Sequence, residues 1–470
     1  MVQEACWREG ESVRPFDIDN TDVRRLDRIR RLSVGFVLCF AIGVAVLAGA
    51  CFTRGNYRDF YHFYHGARAV VDDTDLYASG MHGYIYPPLF ALLLAPLSGL
   101  GIQESAIVWT VFSGALMVAA LLLIAFELQD RFELRCGWTS VWAITAVGLL
   151  FNFEKCRLVI LSGQSDNLTL FLLACAFRTE RRWPMLCGTV LGLAANIKYQ
   201  SLIFLPYLIL RGRLRETGGL LLGLAAGLLS GVPVFGWERN GAYVVRALSG
   251  LFEMTGAVEH KATSAQVSGL TWLPSTAFPS TLARMIDQVA NPRLFLTALA
   301  LVTAATFAIG WHIVARHGFA MFRNRGGERE RQQPLAVLVA FEWGGLITAC
   351  MVFSPQSTGR HMALMTFVSC LAAMLLFFPV NGLTRRPVVI ALLVFIAGLT
   401  LPPGAKPFYP MVNAWRFVGG PAWCALAFYL VVLDRGLAWL QVRAMEGRKA
   451  NAGTIPSHGG ILAPFPNEHL

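Results

Sequence analysis

The sequence predicts an all-α polytopic membrane protein, and three observations lead there. Of its 470 residues, 55% are hydrophobic and only 15% charged. The apolar residues come in runs such as Ser33–Phe52, Ser105–Phe126, Gly218–Phe235 and Pro387–Leu401, nearly free of charge. Each approaches the ~20 residues that carry a helix across ~30 Å of hydrocarbon. Basic residues collect in the short connections between runs, the pattern that positive-inside sorting leaves. Roughly ten to twelve runs imply about that many membrane helices. Strand-like alternation is missing, which excludes an outer-membrane barrel. The net charge of +11 therefore reads as topology, and no nucleic-acid partner is expected.

Residues 1–31 form an acidic-then-basic tail ending in Arg24, Arg25, Arg28, Arg30 and Arg31. The first apolar run starts too far in for a cleaved signal peptide and reads as an anchoring helix. It leads from the cytoplasmic side into a first outer loop, 53–103, crowded with tyrosines, histidines and carboxylates. If that loop is helical, Asp59, His62 and Phe63 share a face, as helical spacing requires. Tyr86–Leu100 is short and begins with a proline pair. Keeping every basic cluster on one side requires this run to turn back without crossing, which is tolerable only under a cover of protein.

Spans are expected at about 104–126, 138–153 and 164–178, then a crowded pair at 184–198 and 199–210, then 217–236. A large outer loop, 237–291, precedes spans at about 292–314, 335–353, 362–379, 387–402 and 415–433. The membrane domain is thus 32–434, and 435–470 is a cytoplasmic tail. The clusters at Arg178–Arg182, Arg211–Arg215, Arg316–Arg331 and Arg385–Arg386 then share one face of the membrane. Ten cysteines without any CxxC pair indicate neither a zinc knuckle nor a disulfide framework.

Polar residues at membrane depth are functional candidates by default. Those expected at the outer end are Asp59, Tyr61, Tyr84, Tyr86, Glu154, Lys155, Arg157, Gln164, Asn167, Lys198, Gln266, Arg360 and His361. The mixture suits transfer from an anionic lipid-borne donor to a hydroxyl. A carboxylate can take the proton of the attacking hydroxyl, and fixed cations can stabilise a departing phosphate. Plainer roles compete for each residue. Lys198 could snorkel to the interface, and Gln164 with Asn167 could cap a helix. His62 and His65 lack a third ligand at telling spacing, while the run Asp72, Asp73 and Asp75, with Asp59, leaves a divalent metal open.

Three stretches in order, DFYHFYHGARAV…DLY…YIYPPLFALLLAPL, LSGQSDNLTLFLL and GTVLGLAANIKYQSLIFLPYLIL, resemble glycosyltransferase family 87, over roughly residues 33 to 435. The resemblance implies a GT-C-like fold, a polyprenyl-phosphate sugar donor (a hexose, commonly mannose) and a glycan or glycolipid acceptor. Carried over by residue, it implies that Asp59 is the catalytic carboxylate. Lys198 would hold the donor phosphate, and Arg360, His361 and Arg157, on the reading of the outer-end residues above, are expected to hold it as well. Tyr61, Tyr84, Tyr86, Pro87, Pro88, Gln164, Asn167 and Gln266 would wall the site. SAQVSGL keeps Gln266 of the family's NQS-x-x-G element, with Ala265 and Val267 in place of Asn and Ser. SPQSTGRHM resembles its SP-x-S-W-x-H-H turn, with Thr358 for Trp and Arg360 for the first His, while His361 remains.

The expected reaction is a single inverting displacement, with the site facing outward from a bacterial plasma membrane. A transporter should carry ionisable residues in mid-span and internal repeats, whereas Glu127 and Glu154 lie near span ends and Glu342 falls inside the run 335–353. A lipid-binding scaffold would not need Asp59.

Overall fold

A computed structural model describes residues 20–53, 55–78, 84–134, 137–254, 269–321, 333–355, 357–378, 380, 382–401 and 406–452. α1 (Asn20–Phe52) already includes the arginine-rich stretch expected to be a tail without a clear fold. α2 (Asp59–Val71) and α3 (Pro88–Leu94) then cap one end of the bundle. A 3-10 turn extends α3 through Gly99, but as a helix the whole piece spans only about 18 Å, too short to cross a bilayer. Pro88 opens α3 at a position that needs no N–H. Buried Tyr84 pins the turn before it: Oη donates to the Pro87 carbonyl at 2.7 Å and accepts from the Ala91 N–H at 2.8 Å.

α4 (Ile102–Arg131) and α5 (Gly137–Phe151) follow. α6 (Phe153–Ser162) occupies what the sequence suggests is a connecting loop, and α7 (Asp166–Thr179) leaves it at 119°. α8 (Pro184–Ile197) is followed by a 3-10 turn and α9 (Phe204–Leu210). α10 (Leu214–Leu229) meets α11 (Val232–Met254) at 95°. Most of α11 therefore lies where the sequence suggests a large loop. The rest comprises α12 (Phe278–Met285), α13 (Pro292–Arg316), α14 (Gln333–Phe353), α15 (Thr366–Phe377), α16 (Arg386–Thr400), α17 (Tyr409–Phe417) and α18 (Gly420–Ala452).

Among the described residues, five helices are long and apolar enough to cross a membrane alone, and up to seven spans result if each bent pair counts as one. A total of ten to twelve needs the shorter apolar helices of 10–17 residues to cross as well.

Two close approaches decide the packing. Gly188 and Gly192 of α8 face Gly219 and Gly223 of α10, so near that a Cβ on Gly192 would lie 2.2 Å from the Leu220 carbonyl. Only glycine permits that backbone contact, as in small-x-x-x-small pairs of membrane helices. The two helices thus behave as one rigid piece. The main core gathers around Trp343, Phe177, Phe204 and Phe367, and a second cluster of Phe60, Phe63, Tyr84, Phe90 and Trp109 seats α2 and α3.

The two ends of the bundle differ in kind. At the C-terminal end of α4, buried Glu127 receives Arg131 Nε at 2.8 Å and Arg178 at 2.6 Å. Glu180 receives Arg131 at 2.7 Å and also Arg213. The Arg131 guanidinium lies 4.0 Å over the Phe177 ring. Eighteen residues back along α4, about 27 Å at 1.5 Å per residue, Trp109 Nε1 donates to the Gly163 carbonyl at 2.9 Å. That end holds the candidate site.

Candidate active site

Asp59 is the first residue of α2, where the helix N-terminus favours a carboxylate. Arg58 before it holds φ at +49°, a left-handed conformation that costs a non-glycine residue about 1–3 kcal/mol. The chain bends there and sends Asp59 into a cavity. Asp59 Oδ2 accepts from both Gln164 Nε2 and an Arg360 N–H. Oδ1 takes no hydrogen bond among the described residues.

Gln164 reaches Asp59 because of the glycine before it. Gly163 ends α6 at φ +68°, and a Cβ there would lie 2.6 Å from Phe60 Cβ. The turn between α6 and α7 therefore rests directly on α2. Two residues on, Asp166 opens α7 fully buried and pairs with Lys198 Nζ at 2.7 Å. Lys198 ends the rigid α8 and is 7% exposed. Arg360 and His361 come from the turn between α14 and α15. His361 Nδ1 accepts from the Thr358 N–H at 3.3 Å, which leaves the ring proton on Nε2. An antiparallel bridge joins Thr358 to Ser275, and the Thr276 N–H donates to the Ser357 carbonyl at 2.7 Å, so the segment before α12 holds this turn.

Of these groups, Asp59, Gln164, Lys198, Thr358, Arg360 and His361 line a cavity of about 730 Å³. Its polar wall includes Asp59, Tyr86, Gln164, Lys198, Arg360 and His361, and the facing wall includes Leu202, Ile203, Met254, Trp272 and Phe353. Gln164 Oε1, Asp166 Oδ2, Gln200 Oε1 and Thr358 Oγ1 are buried there without hydrogen-bond partners among the described residues. Buried polar atoms are seldom left so, and their grouping beside a cavity suits a polar ligand.

Not every expected residue arrives. Arg157 is held by Glu154 at 2.7 Å on its own helix and is not among the cavity-lining residues. Asn167 donates to Ser113 Oγ at 3.0 Å, and Lys155 Nζ to the Leu399 carbonyl at 2.7 Å; neither lines the cavity. Tyr84, Pro87 and Pro88 act one layer back, shaping the turn that presents Tyr86. Tyr61 is 43% exposed, and its ring lies tilted against that of His65 with centroids 4.2 Å apart. Burial holds His65 below the ordinary imidazole range. Gln266 lies outside the described residues.

Sequence reasoning missed Asp166, which pairs with Lys198, and the lining residues Arg58, Tyr199 and Gln200. Asp166 stands inside GQSDN, and an acid at the head of an apolar run, with a lone lysine closing another, was the available signal. Tyr199 lines the cavity beside Lys198 and carries no comparable signal.

A metal ion does not fit this donor set. Asp59 lines the cavity and already faces Arg360, while buried Asp166, which is not among the lining residues, faces Lys198. Among the described residues, no three His, Cys, Asp or Glu side chains gather as a metal site would require.

Residues 84–355 match the sequence profile described as glycosyltransferase family 87. A polyprenol-phosphate-mannose-dependent alpha-(1-2)-phosphatidylinositol mannoside mannosyltransferase of Mycobacterium tuberculosis is 26% identical over 468 residues, covering 92% of this chain and 96% of that protein. Its namesake from Mycolicibacterium smegmatis is 25% identical over 425 residues, covering 85% and 88%. No solved structure matches the chain.

Proposed function

Because the chain belongs to glycosyltransferase family 87, we propose that it transfers a mannosyl residue from a polyprenyl-phosphate donor to a hydroxyl of a glycolipid acceptor. Family membership favours this reading over a transporter or a scaffold. The observation that carries the mechanism is Asp59, with Oδ1 unengaged, in a cavity that Arg58, Lys198 and Arg360 also line beside apolar residues. The polyprenyl chain lies along Leu202, Ile203 and Phe353, and its phosphate is held by Lys198 and Arg360. Arg360 leaves Asp59 for the donor phosphodiester, a monoanion whose two free oxygens it can grip with a forked pair of N–H groups and whose charge grows as the sugar departs.

Asp59 then accepts the acceptor hydroxyl proton as that oxygen bonds to the anomeric carbon. The bond from that carbon to the phosphate oxygen breaks, and polyprenyl phosphate departs with the electron pair. One base and one displacement imply inversion. His361 Nε2–H adds a neutral donor beside the phosphate, and Lys198 supplies a fixed charge oriented by Asp166.

The outward orientation rests on the charge distribution. Arg178, Arg181 and Arg213 lie at the end remote from Asp59, and positive-inside sorting puts such an end in the cytoplasm. A bacterial plasma membrane is the expected setting.

Membranes containing the wild type, Asp59→Asn or a chelator-treated wild type, given labelled polyprenyl-phosphate mannose, test the reading. Transfer by wild type, undiminished by chelator and lost in the variant at equal expression, supports it. Equal transfer by both proteins would remove Asp59 from its assigned role, and dependence on the chelator would overturn the metal-free site.

A further inference from the structure

A second apolar path reaches the same turn from another side. α16, α17 and α18 enclose an open groove of about 940 Å³, lined by Val394, Leu401, Phe408, Met411, Trp415 and Val418 among others. Trp415 Nε1 ties α17 to α16 by donating to the Gly398 carbonyl at 2.8 Å. At the next residue, the Leu399 carbonyl receives Lys155 Nζ at 2.7 Å. Lys155 thus stands at the side of the groove. It also sits beneath the turn that bears Arg360, since a Cβ on Gly359 would lie 3.7 Å from its Nζ.

The charges at this junction are out of balance. Lys155 is 8% exposed and has no carboxylate partner among the described residues. Glu154, its neighbour in the chain, is taken by Arg157 at 2.7 Å. Arg416 of α17 adds its positive field at the Lys155 ammonium and itself has no ion pair among the described residues. A buried ammonium without an anion is costly to desolvate, and a phosphate would offset that cost while its acyl chains filled the groove.

We propose that the α16–α18 groove seats the acyl chains of a phosphate-bearing glycolipid acceptor, with Lys155 and Arg416 gripping its headgroup phosphate. This deepens, and rests on, the reading of the chain as a transferase with a glycolipid acceptor. Two lipid-anchored substrates need two tail paths with converging heads. The turn 357–361 meets both paths, lining the cavity through Thr358, Arg360 and His361 and facing Lys155 through Gly359.

Photoactivatable phosphatidylinositol and diacylglycerol probes, which differ in whether a headgroup phosphate is present, applied to the full chain in nanodiscs, test the site without requiring turnover. Mapped labelling over 386–418 should favour phosphatidylinositol about tenfold, the ratio for one charge-assisted contact. Lys155→Gln and Arg416→Gln should each erase the preference, and Asp59→Asn should keep it. If Lys155→Gln does not fold, Arg416→Gln carries the test, because that side chain is half-buried and has no ion pair to lose. Equal labelling by both probes in the wild type, or a preference unchanged in Arg416→Gln, would overturn the proposal. A preference that persists in a protein unable to transfer mannose would support the lipid site while removing the reaction proposed above.

Discussion

At the scale of single residues, Asp59 is defined by what holds it. Gln164 and Arg360 share one of its oxygens, and the other is left for a substrate. Asp59→Asn should lower kcat by about 10²–10⁴-fold, the usual worth of a positioned base, with donor affinity held or raised, because Arg360 no longer has a carboxylate to leave. Arg360→Gln should instead act on the donor, because charge-assisted hydrogen bonds contribute about 1.5–3 kcal/mol. A rise in donor KM of about 10–100-fold, with a smaller change in kcat, is the expected kinetic signature. Gly163→Ala combines a positive φ with a 2.6 Å approach to Phe60. It should lower stability by about 1–3 kcal/mol and reduce transfer, readable as a lower Tm in detergent beside a lower rate. Asp59, Lys198 and Arg360 were legible in the sequence because charged groups at apolar boundaries stand out. The pairing of Lys198 with Asp166 was not, since it depends on the 119° turn between α6 and α7.

At the scale of elements, hydropathy and length locate α4, α13 and α14, which are long, apolar and bounded by charge. They fail where a helix carries charge or lies across the bundle. α6 reads as a loop because Glu154, Lys155 and Arg157 interrupt its apolar pattern, although Glu154 and Arg157 pair at helical spacing. Most of α11 is misread for the same reason, with Glu238, Arg239 and Arg246 on one helix. The glycine pairs of α8 and α10 were visible as letters, but their meeting is a tertiary fact. Gly192→Leu should separate the two helices, lowering the unfolding midpoint and loosening Lys198 together with Asp166. A drop in Tm accompanied by a raised donor KM would express that coupling; a drop in Tm alone would show that α8 does not govern the site.

For the whole molecule, charge is sorted between the ends. The remote end buries Glu127, Arg131, Glu180 and Arg213 in one network, and breaking such a group by removing one partner costs about 3–5 kcal/mol. Glu180→Gln should therefore be much less stable to heat or denaturant. Its surviving folded fraction should transfer sugar with unchanged KM, because the network lies about 27 Å along α4 from the site. A changed KM would mean that the two ends communicate.

The ion pair between Arg360 and Asp59 also carries a timetable. Lys198 is bolted to the α8–α10 piece, whereas Arg360 rides on a turn, so only one of the two cations can move aside. Until a phosphate draws Arg360 away, one of the groups that must hold the donor is occupied, so an acceptor arriving early finds Oδ1 open but no anomeric carbon positioned beside it. The substrates should therefore bind in sequence, donor before acceptor. Free polyprenyl phosphate should then compete with the donor, while the acceptor alone leaves the pair intact.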